Sequence, residues 1–347
     1  MDAEYVEAFK EVLVYRKLTR GLISMSELNM ETELFEDRRE KYAPDFGQYA
    51  AFVLAAVQGS MEKINALASK EGTQIVATRT GDYRPFDPDT LRVDEVAEGY
   101  FFQRIRERKS PTIVISEELE KGRAILPEGA DENDADIYAV SDPFDGSLLY
   151  KRQIPVFWYT TLAFYSKIGI PLSAAVCDVL NHSVDFANEE HAYRAQFEDS
   201  KLVFVRDLCP AETTDIDRKT IVETYMMKGH RMYPASRIWE PLLSRVFILP
   251  NGGPAGYADV AKGNVDIYLA LEEAHVENFS ALPVARNSGA VVTDFDGNPV
   301  KFEDKPLKKY FILCTANPEL HDKALKIISE INWKNEEYYR KILEHQQ

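Results

Sequence analysis

The sequence is poor in cysteine and has no long apolar segment. Its 347 residues include three cysteines, Cys177, Cys209 and Cys314, which lie far apart and form no CxxC pair. This pattern excludes a disulfide framework and gives no indication of a zinc site. No window reaches the roughly 18 uninterrupted apolar residues of a membrane-spanning helix. The N-terminus carries acids where a signal peptide needs basic residues, so we expect a cytoplasmic protein.

Positive charge is also in short supply. Lysine and arginine total 41 against 57 aspartates and glutamates, which gives a formal net charge of −16. A surface this acidic repels phosphate backbones and anionic lipids, so neither nucleic acid nor a membrane is an expected partner. An anionic small molecule can still be a substrate where bound cations reverse the local field.

The overall balance is that of a globular protein, with 45% hydrophobic and 28% charged residues. The length predicts two domains or one large layered sandwich. The patterns divide the chain into a helical N-terminal extension (1–45), an α+β half (46–200) and an α/β half that ends in a helix (201–347). That last helix should begin after Asn317, with Pro318 in its first turn.

Two short apolar runs, residues 112–116 and 137–141, have the β-branched composition of buried strands. Each run stops at an acid, Glu117 and Asp142 respectively. The sequence therefore predicts two strands that carry carboxylates at their ends. Farther along, we expect a loop over 272–283, a helix after it, and a hairpin with an Asp-Gly turn over 290–300.

The most informative stretch is SDPFDGS, residues 141–147. Asp142 and Asp145 can direct two carboxylates and an intervening carbonyl toward one place, while Gly146 lets backbone N–H groups approach an anion. Such a turn suits magnesium together with phosphate. A plain Asp-rich turn is the alternative that this motif alone leaves open.

This stretch resembles the DP(I/L)DG(S/T) signature of the magnesium-dependent, lithium-sensitive phosphatases of the inositol monophosphatase and fructose-1,6-bisphosphatase superfamily. SEE at 116–118 is similar to the GEE at a strand end in that family. Asp94 lies 117 − 94 = 23 residues before Glu117, and Glu277 lies 277 − 266 = 11 residues after Asp266. Both spacings are like those of the family, and the resemblance covers roughly residues 47–330.

The resemblance implies an α+β fold, a layered αβαβα sandwich, and a phosphatase that uses two or three Mg²⁺ ions. It implies that a small phosphorylated substrate is bound by the backbone of Gly146 and Ser147. The expected metal ligands, most of them in the 46–200 half, are Glu117, Asp142, the Phe144 carbonyl, Asp145 and Glu277. The implied catalytic residues are Asp94, Ser147 and Glu117, with Ser147 in the place of the family's threonine and hydrogen-bonded to Asp94 as that threonine is to its aspartate. Relatives are commonly dimers or tetramers, so a homo-oligomer is expected.

Several departures leave the substrate open. Leu149, Val276 and Ser288 replace an asparagine, a tryptophan and a glycine of the inositol branch, and the stretch ALEEAHVE lacks the basic residues that grip the second phosphate of fructose bisphosphate. The alternatives are therefore an inositol or sugar phosphate, fructose 1,6-bisphosphate, 3′-phosphoadenosine 5′-phosphate, or a catalytically silent relative. Glu272 and Glu273 also compete with Glu277 for the last metal position.

Other motifs are weaker. DFDG at 294–297 matches the opening of haloacid-dehalogenase phosphatases, but only 347 − 296 = 51 residues follow Asp296, too few for that core. His275 is expected to be a solvated loop residue, and Cys177 a small buried hydrophobe. Tyr83 and Arg84 lie in a loop over 79–89 that, in the family, closes over the metals.

Overall fold

The computed structural model describes residues 25–78, 89–108, 110–119 and 121–344. Residues 1–24 of the predicted helical N-terminal extension lie outside the described residues, and so do Tyr83 and Arg84. Among the described residues, no helix is long and apolar enough to cross a membrane. The prediction of a cytoplasmic protein stays a prediction, as does the division of the chain at residues 45 and 200.

The helices of the described part occur in every region of the chain. In chain order they are α1 (Met25–Phe46), α2 (Gln48–Ala66), α3 (Ser69–Gly72), α4 (Arg92–Arg106), α5 (Ser147–Lys151), α6 (Gly229–Ile238), α7 (Glu240–Leu243), α8 (Pro254–Ala261), α9 (His275–Phe279), α10 (Leu282–Asn287), α11 (Pro318–Glu330) and α12 (Glu337–Glu344).

The strands of the described residues form three sheets. In chain order they are β1 (Ile75–Thr78), β2 (Asp89–Leu91), β3 (Thr112–Ser116), β4 (Arg123–Leu126), β5 (Ile137–Ser141), β6 (Tyr159–Ser166), β7 (Pro171–Asp178), β8 (Ser183–Ala187), β9 (Ala192–Glu198), β10 (Lys201–Asp207), β11 (Ile221–Glu223), β12 (Phe247–Leu249), β13 (Ile267–Ala274), β14 (Val291–Asp294) and β15 (Lys309–Thr315). The large sheet has the order β10-β9-β8-β7-β6-β5-β3-β4, the small one β12-β11-β13-β15-β14, and β1 pairs with β2 alone.

Five layers stack because each sheet is apolar on both faces. Helices α1, α2 and α4 cover one face of the large sheet, where Phe52 of α2 lies 5.1 Å from Phe164 of β6 between ring centroids. Helices α8, α9 and α10 fill the middle layer, and α6, α7, α11 and α12 cover the outer face of the small sheet. The predicted α+β fold, a layered αβαβα sandwich, is confirmed.

The predicted strands at 112–116 and 137–141 are confirmed as β3 and β5. These strands are parallel neighbours, with Ser116 opposite Ser141. The predicted C-terminal helix is α11, and the Asn317 side chain accepts a hydrogen bond of 3.0 Å from the Leu320 N–H.

The expected loop over 272–283 is wrong. Strand β13 continues to Ala274, because Glu273 and Ala274 pair with Tyr310 and Lys309 of β15, and α9 starts directly after it. The hairpin over 290–300 is only partly formed. Its turn exists, but β14 pairs with the distant β15, and the return strand is reduced to one bridge between Thr293 and Pro299.

Packing of the middle layer on the small sheet depends on Gly256 in α8. A Cβ atom at this position would overlap the buried ring of Tyr268 in β13. Both aromatic rings beside it, Tyr257 and Tyr268, are fully buried and stack edge to face at 4.9 Å. The space beside Gly256 is therefore too small for a larger side chain.

We expect Gly256→Ala to lower the free energy of unfolding by roughly 1–3 kcal/mol, because overpacking outweighs the helix propensity of alanine. The matched control is Gly99→Ala in α4, where a Cβ meets no atom within 4 Å of the described structure. That change should raise stability by up to about 1 kcal/mol. Urea unfolding of both variants measures the difference, and equal effects of the two would contradict this packing argument.

Candidate active site

The carboxyl ends of β3 and β5 bring Glu117 and Asp142 together. Parallel neighbouring strands end at the same edge of a sheet, and the Glu117 N–H lies 3.4 Å from the Ser141 carbonyl oxygen. Asp142 is almost fully buried, and its backbone is fixed to Thr161 of β6, whose N–H donates to the Asp142 carbonyl at 2.9 Å. Two carboxylates therefore share one rigid sheet edge.

The turn after β5 continues with Phe144, Asp145 and Gly146. Gly146 has φ +100°, a left-handed conformation that suits glycine, and a Cβ atom there would overlap the Phe157 carbonyl oxygen. This tight turn starts α5 at Ser147. The Phe144 ring is anchored against Tyr150, with centroids 5.2 Å apart, so its carbonyl has a fixed position.

Ser147 and Asp94 form a buried pair across 53 residues of sequence. The Ser147 hydroxyl donates to Asp94 Oδ1 at 2.6 Å and also lies 3.1 Å from the Phe144 carbonyl oxygen. The other oxygen of Asp94 accepts the Leu91 N–H at 2.6 Å, which satisfies a free donor at the start of α4. One carboxylate thus holds both the helix start and the serine hydroxyl.

Asp145 and Glu277 belong to the same electrostatic cluster. Burial, together with the negative charges of Glu277 and Glu117, raises the pKa of Asp145 to about 8. Three of the ligands predicted from sequence, Glu117, Asp145 and Glu277, therefore lie close enough to one another to interact electrostatically. Gly253, at the start of α8, also borders the cluster, since a Cβ there would lie 3.3 Å from Asp145 Oδ2.

Glu277 remains ionised even though burial opposes its charge. A hydrogen bond from Glu273 and the positive charge of Lys309 lower the pKa of Glu277 to about 2. Arg231 and the Ala274 N–H act in the same direction. Glu273, near the end of β13, and Glu277, in α9, therefore form a coupled pair in which Glu277 carries the negative charge.

Sequence reasoning missed the basic and aromatic groups around this cluster. Arg231 and Lys309 act electrostatically on Glu273 and Glu277, and Lys228 acts on Asp145. Tyr225 lies under two of these cations, with the Lys228 Nζ 5.6 Å and the Arg231 Cζ 5.7 Å from its ring centroid. The local sequence of 224–231 resembles that of an ordinary loop, because the groups that interact with this segment lie in distant parts of the chain.

His275 is a correction to the sequence interpretation. It is fully buried rather than solvated, its Nε2 lies 2.7 Å from the Glu303 carbonyl oxygen, and burial lowers its pKa to about 4. Cys177 is a small buried hydrophobe, as expected. The DFDG stretch is a surface turn in which Asp294 Oδ1 accepts the N–H groups of Asp296 and Asn298.

The donor set fits a hard divalent cation. All the candidate groups are carboxylate or carbonyl oxygens, which Mg²⁺ prefers, and buried carboxylates in mutual repulsion need a compensating cation. Among the described residues, no three histidine, cysteine, aspartate or glutamate side chains lie close enough together to coordinate an ion. Binding would therefore draw the carboxylates inward.

The high pKa of Asp145 predicts a pH-dependent stability when divalent ions are chelated. The ordinary value is 3.8 and the folded value is about 8, so the folded state binds a proton that the unfolded state releases. This contribution is fully present below about pH 4 and is lost as the pH rises through about 8. Glu277, lowered from 4.5 to about 2, contributes no change in that window.

In EDTA, we therefore expect the free energy of unfolding to fall between about pH 4 and about pH 8, and Asp145→Asn to make that fall smaller. Asp296→Asn, at an exposed residue paired with Lys334, serves as the control. Denaturant unfolding at several pH values gives the slopes. Identical slopes for wild type and Asp145→Asn would contradict the assignment.

Comparison with known proteins identifies the family of the chain. A model of the inositol monophosphatase family matches residues 48–332. The extragenic suppressor protein SuhB from Bartonella henselae superposes with a TM-score of 0.61 at 16% identity, covering 80% of this chain and 97% of that one. Staphylococcal IMPase-II gives 0.61 at 16% identity, covering 86% and 97%.

A third structure, SuhB of Mycobacterium tuberculosis, gives a TM-score of 0.59 at 14% identity over 82% of this chain and 96% of that one. Identities this low show the shared fold alone. No curated protein matches the sequence. Membership of the family therefore rests on the family model, whereas the solved structures show the fold.

Proposed function

The chain belongs to the inositol monophosphatase family, and on that premise we propose that it is a magnesium-dependent phosphatase that hydrolyses a small phosphate monoester. The observation that carries the proposal is the 2.6 Å hydrogen bond between Ser147 and Asp94, beside the carboxylates at the ends of β3 and β5. A hydroxyl whose proton is held by a buried carboxylate has its lone pairs free to accept a hydrogen bond from water.

The proposed metal ligands are Glu117, Asp142, the Phe144 carbonyl, Asp145 and Glu277. Two or three bound Mg²⁺ ions would supply charge neutralisation for the phosphate dianion and a lowered pKa for a coordinated water. The fit rests on the oxygen-only donor set and on the mutual repulsion that burial forces on Asp145 and Glu277.

The chain's own residues orient the reactants. Ser147 Oγ accepts a hydrogen bond from the attacking water, and Asp94 keeps the serine proton pointing away from it. The N–H groups of Gly146 and Ser147 are proposed to bind the phosphate at the start of α5. The rigid turn around Gly146 fixes these donors in place before the substrate arrives.

The substrate itself is proposed as a short set of phosphate esters. Structures of SaIMPase-II, at 17–18% identity, have been solved with 2′-AMP and with inositol monophosphate bound. These ligands support testing a nucleotide as well as an inositol phosphate. Fructose 1,6-bisphosphate and 3′-phosphoadenosine 5′-phosphate remain alternatives, as does a silent relative, because Leu149, Val276 and Ser288 depart from the inositol branch. We also propose a homo-oligomer in the cytoplasm.

Phosphate release from inositol 1-phosphate, fructose 1,6-bisphosphate, 3′-phosphoadenosine 5′-phosphate and 2′-AMP tests the function directly. We expect release from at least one compound that requires Mg²⁺ and disappears in EDTA. Asp142→Asn should abolish it while the protein stays folded, because a ligand is lost without disturbing the core. Asp136→Asn should retain this activity, because Asp136 is exposed, directly precedes β5 and forms an ion pair with Arg108. Silence on every compound with Mg²⁺ still bound would favour the silent relative.

The role of the serine hydroxyl is tested separately. Ser147→Ala should lower kcat by about 10²- to 10⁴-fold, because water loses its hydrogen-bond acceptor. Ser147→Thr restores the residue typical of the family and should keep most of the activity. Steady-state assays at saturating Mg²⁺ compare the two. An alanine variant as fast as wild type would remove Ser147 from the mechanism.

A further inference from the structure

Strand β13 contains a bulge beside the proposed metal site. Ala270 is paired with Ile312 of β15, but the next pair is Glu273 with Tyr310, so β13 carries one extra residue. Glu272 absorbs it with φ +54°, a left-handed conformation that is uncommon outside glycine. Bulges of this kind re-aim side chains and are frequent next to active sites.

The bulge sends two consecutive glutamates into different surroundings. Glu272 is fully partnered on the outer side, with Oε1 2.9 Å from Arg231 Nε and 2.7 Å from the Tyr338 hydroxyl. Glu273 is 1% exposed and points inward to Glu277. The strained backbone at Glu272 therefore has one visible result, which is to place Glu273 inside the carboxylate cluster.

Glu273 is not satisfied where it lies. Its Oε1 is buried and has no hydrogen-bond partner among the described atoms. A buried carboxylate oxygen without a partner is costly, and native structures usually explain such an atom by an ion, a water or a function. Arg231 and Lys309 act on the pair from outside, yet neither is within the hydrogen-bond distance that would satisfy this oxygen.

We propose that Glu273 is an additional metal ligand, which binds the ion on the side of Glu277. The inference rests on the proposed function, because it concerns the ion that the phosphatase would use. It adds a carboxylate to Glu117, Asp142, Asp145 and Glu277, and it excludes Glu272, which is already bound by Arg231 and Tyr338. A further oxygen ligand raises the charge and the ligand number of the site, which strengthens binding of a divalent cation.

A structural role alone explains the arrangement less well. Without a cation, Glu273 and Glu277 can share this space only if Glu273 keeps a proton, whereas an apolar side chain would fill the same volume without that cost. The backbone strain at Glu272 adds to the cost. Both are offset when a cation lies between the two carboxylates.

Isothermal titration of Mg²⁺ into wild type, Glu273→Gln and Glu223→Gln tests the proposal. Glu223 is the matched control, since it is also a fully buried glutamate with an unpartnered oxygen, but its neighbours are Asn251 and Asp259 rather than proposed ligands. We expect Glu273→Gln to weaken Mg²⁺ binding at least about tenfold and Glu223→Gln to bind as wild type does.

The fold of the variant is checked by thermal unfolding in EDTA. Glu273→Gln should unfold near the wild-type temperature there, because its amide can donate to Glu277, and it should gain less on addition of Mg²⁺. Glu273→Asp is the second variant, which keeps the charge but withdraws it by one methylene, and it should show a smaller loss of affinity. If Glu273→Gln does not fold, the Mg²⁺ affinity of Glu273→Asp tests the proposal instead.

The outcomes separate this inference from the proposed function. Wild-type Mg²⁺ affinity in Glu273→Gln, with phosphate release intact in the wild type, overturns the inference alone. Weakened Mg²⁺ binding in Glu273→Gln, with no phosphate release from wild-type protein, supports the inference and contradicts the proposed phosphatase activity. Equal losses in Glu273→Gln and Glu223→Gln would also overturn it, because any buried glutamate would then have the same effect.

Discussion

Repulsion between like charges is the constraint on which the site depends. The fold gathers carboxylates from the ends of β3 and β5, the turn at Asp145 and the helix α9, where burial that is complete only for Asp142 weakens screening by water. In the absence of ions the chain meets this constraint in two ways. Asp145 binds a proton more tightly than an exposed aspartate, and the positive charges of Arg231, Lys309 and Lys228 lie around the cluster.

The five-layer architecture makes this concentration of charge tolerable. The ends of β3 and β5 are fixed by pairing deep in the large sheet, and α9 is fixed between the two sheets. Side chains that repel one another therefore cannot move apart by shifting their backbones. The core supplies the stability that keeps the carboxylates of the cluster in place despite their repulsion.

Local chemistry is what the sequence predicted well. The SDPFDGS turn, the strands before Glu117 and Asp142, and the N-cap at Asn317 are recognisable because their signals lie within a few neighbouring residues. The approach of Ser147 to Asp94 followed only from the family resemblance, since 53 residues separate them. That contact is present in the structure, although the catalytic roles themselves remain proposals.

Long-range pairing explains what could not be predicted. The bulge at Glu272 is defined by the pairing of β13 with β15, which joins residues some thirty-five positions apart, so no local pattern indicates the extra residue. For the same reason 272–283 resembled a loop, since its polar residues face a buried cluster. The cations Arg231 and Lys309 likewise come from separate segments, and only the fold brings them to the glutamates.

The shared carboxylate of Asp94 has an evolutionary consequence. One carboxylate oxygen accepts the N–H at the start of α4 and the other accepts the Ser147 hydroxyl, so a single residue must meet two requirements. At the third position of a helix, an acid that reaches back to the N-cap N–H can usually be replaced by glutamine with little effect. Here that freedom is lost, because a substitute that caps equally well would still leave the serine without its anionic partner. Sequence drift in the helix is thereby tied to selection on the chemistry.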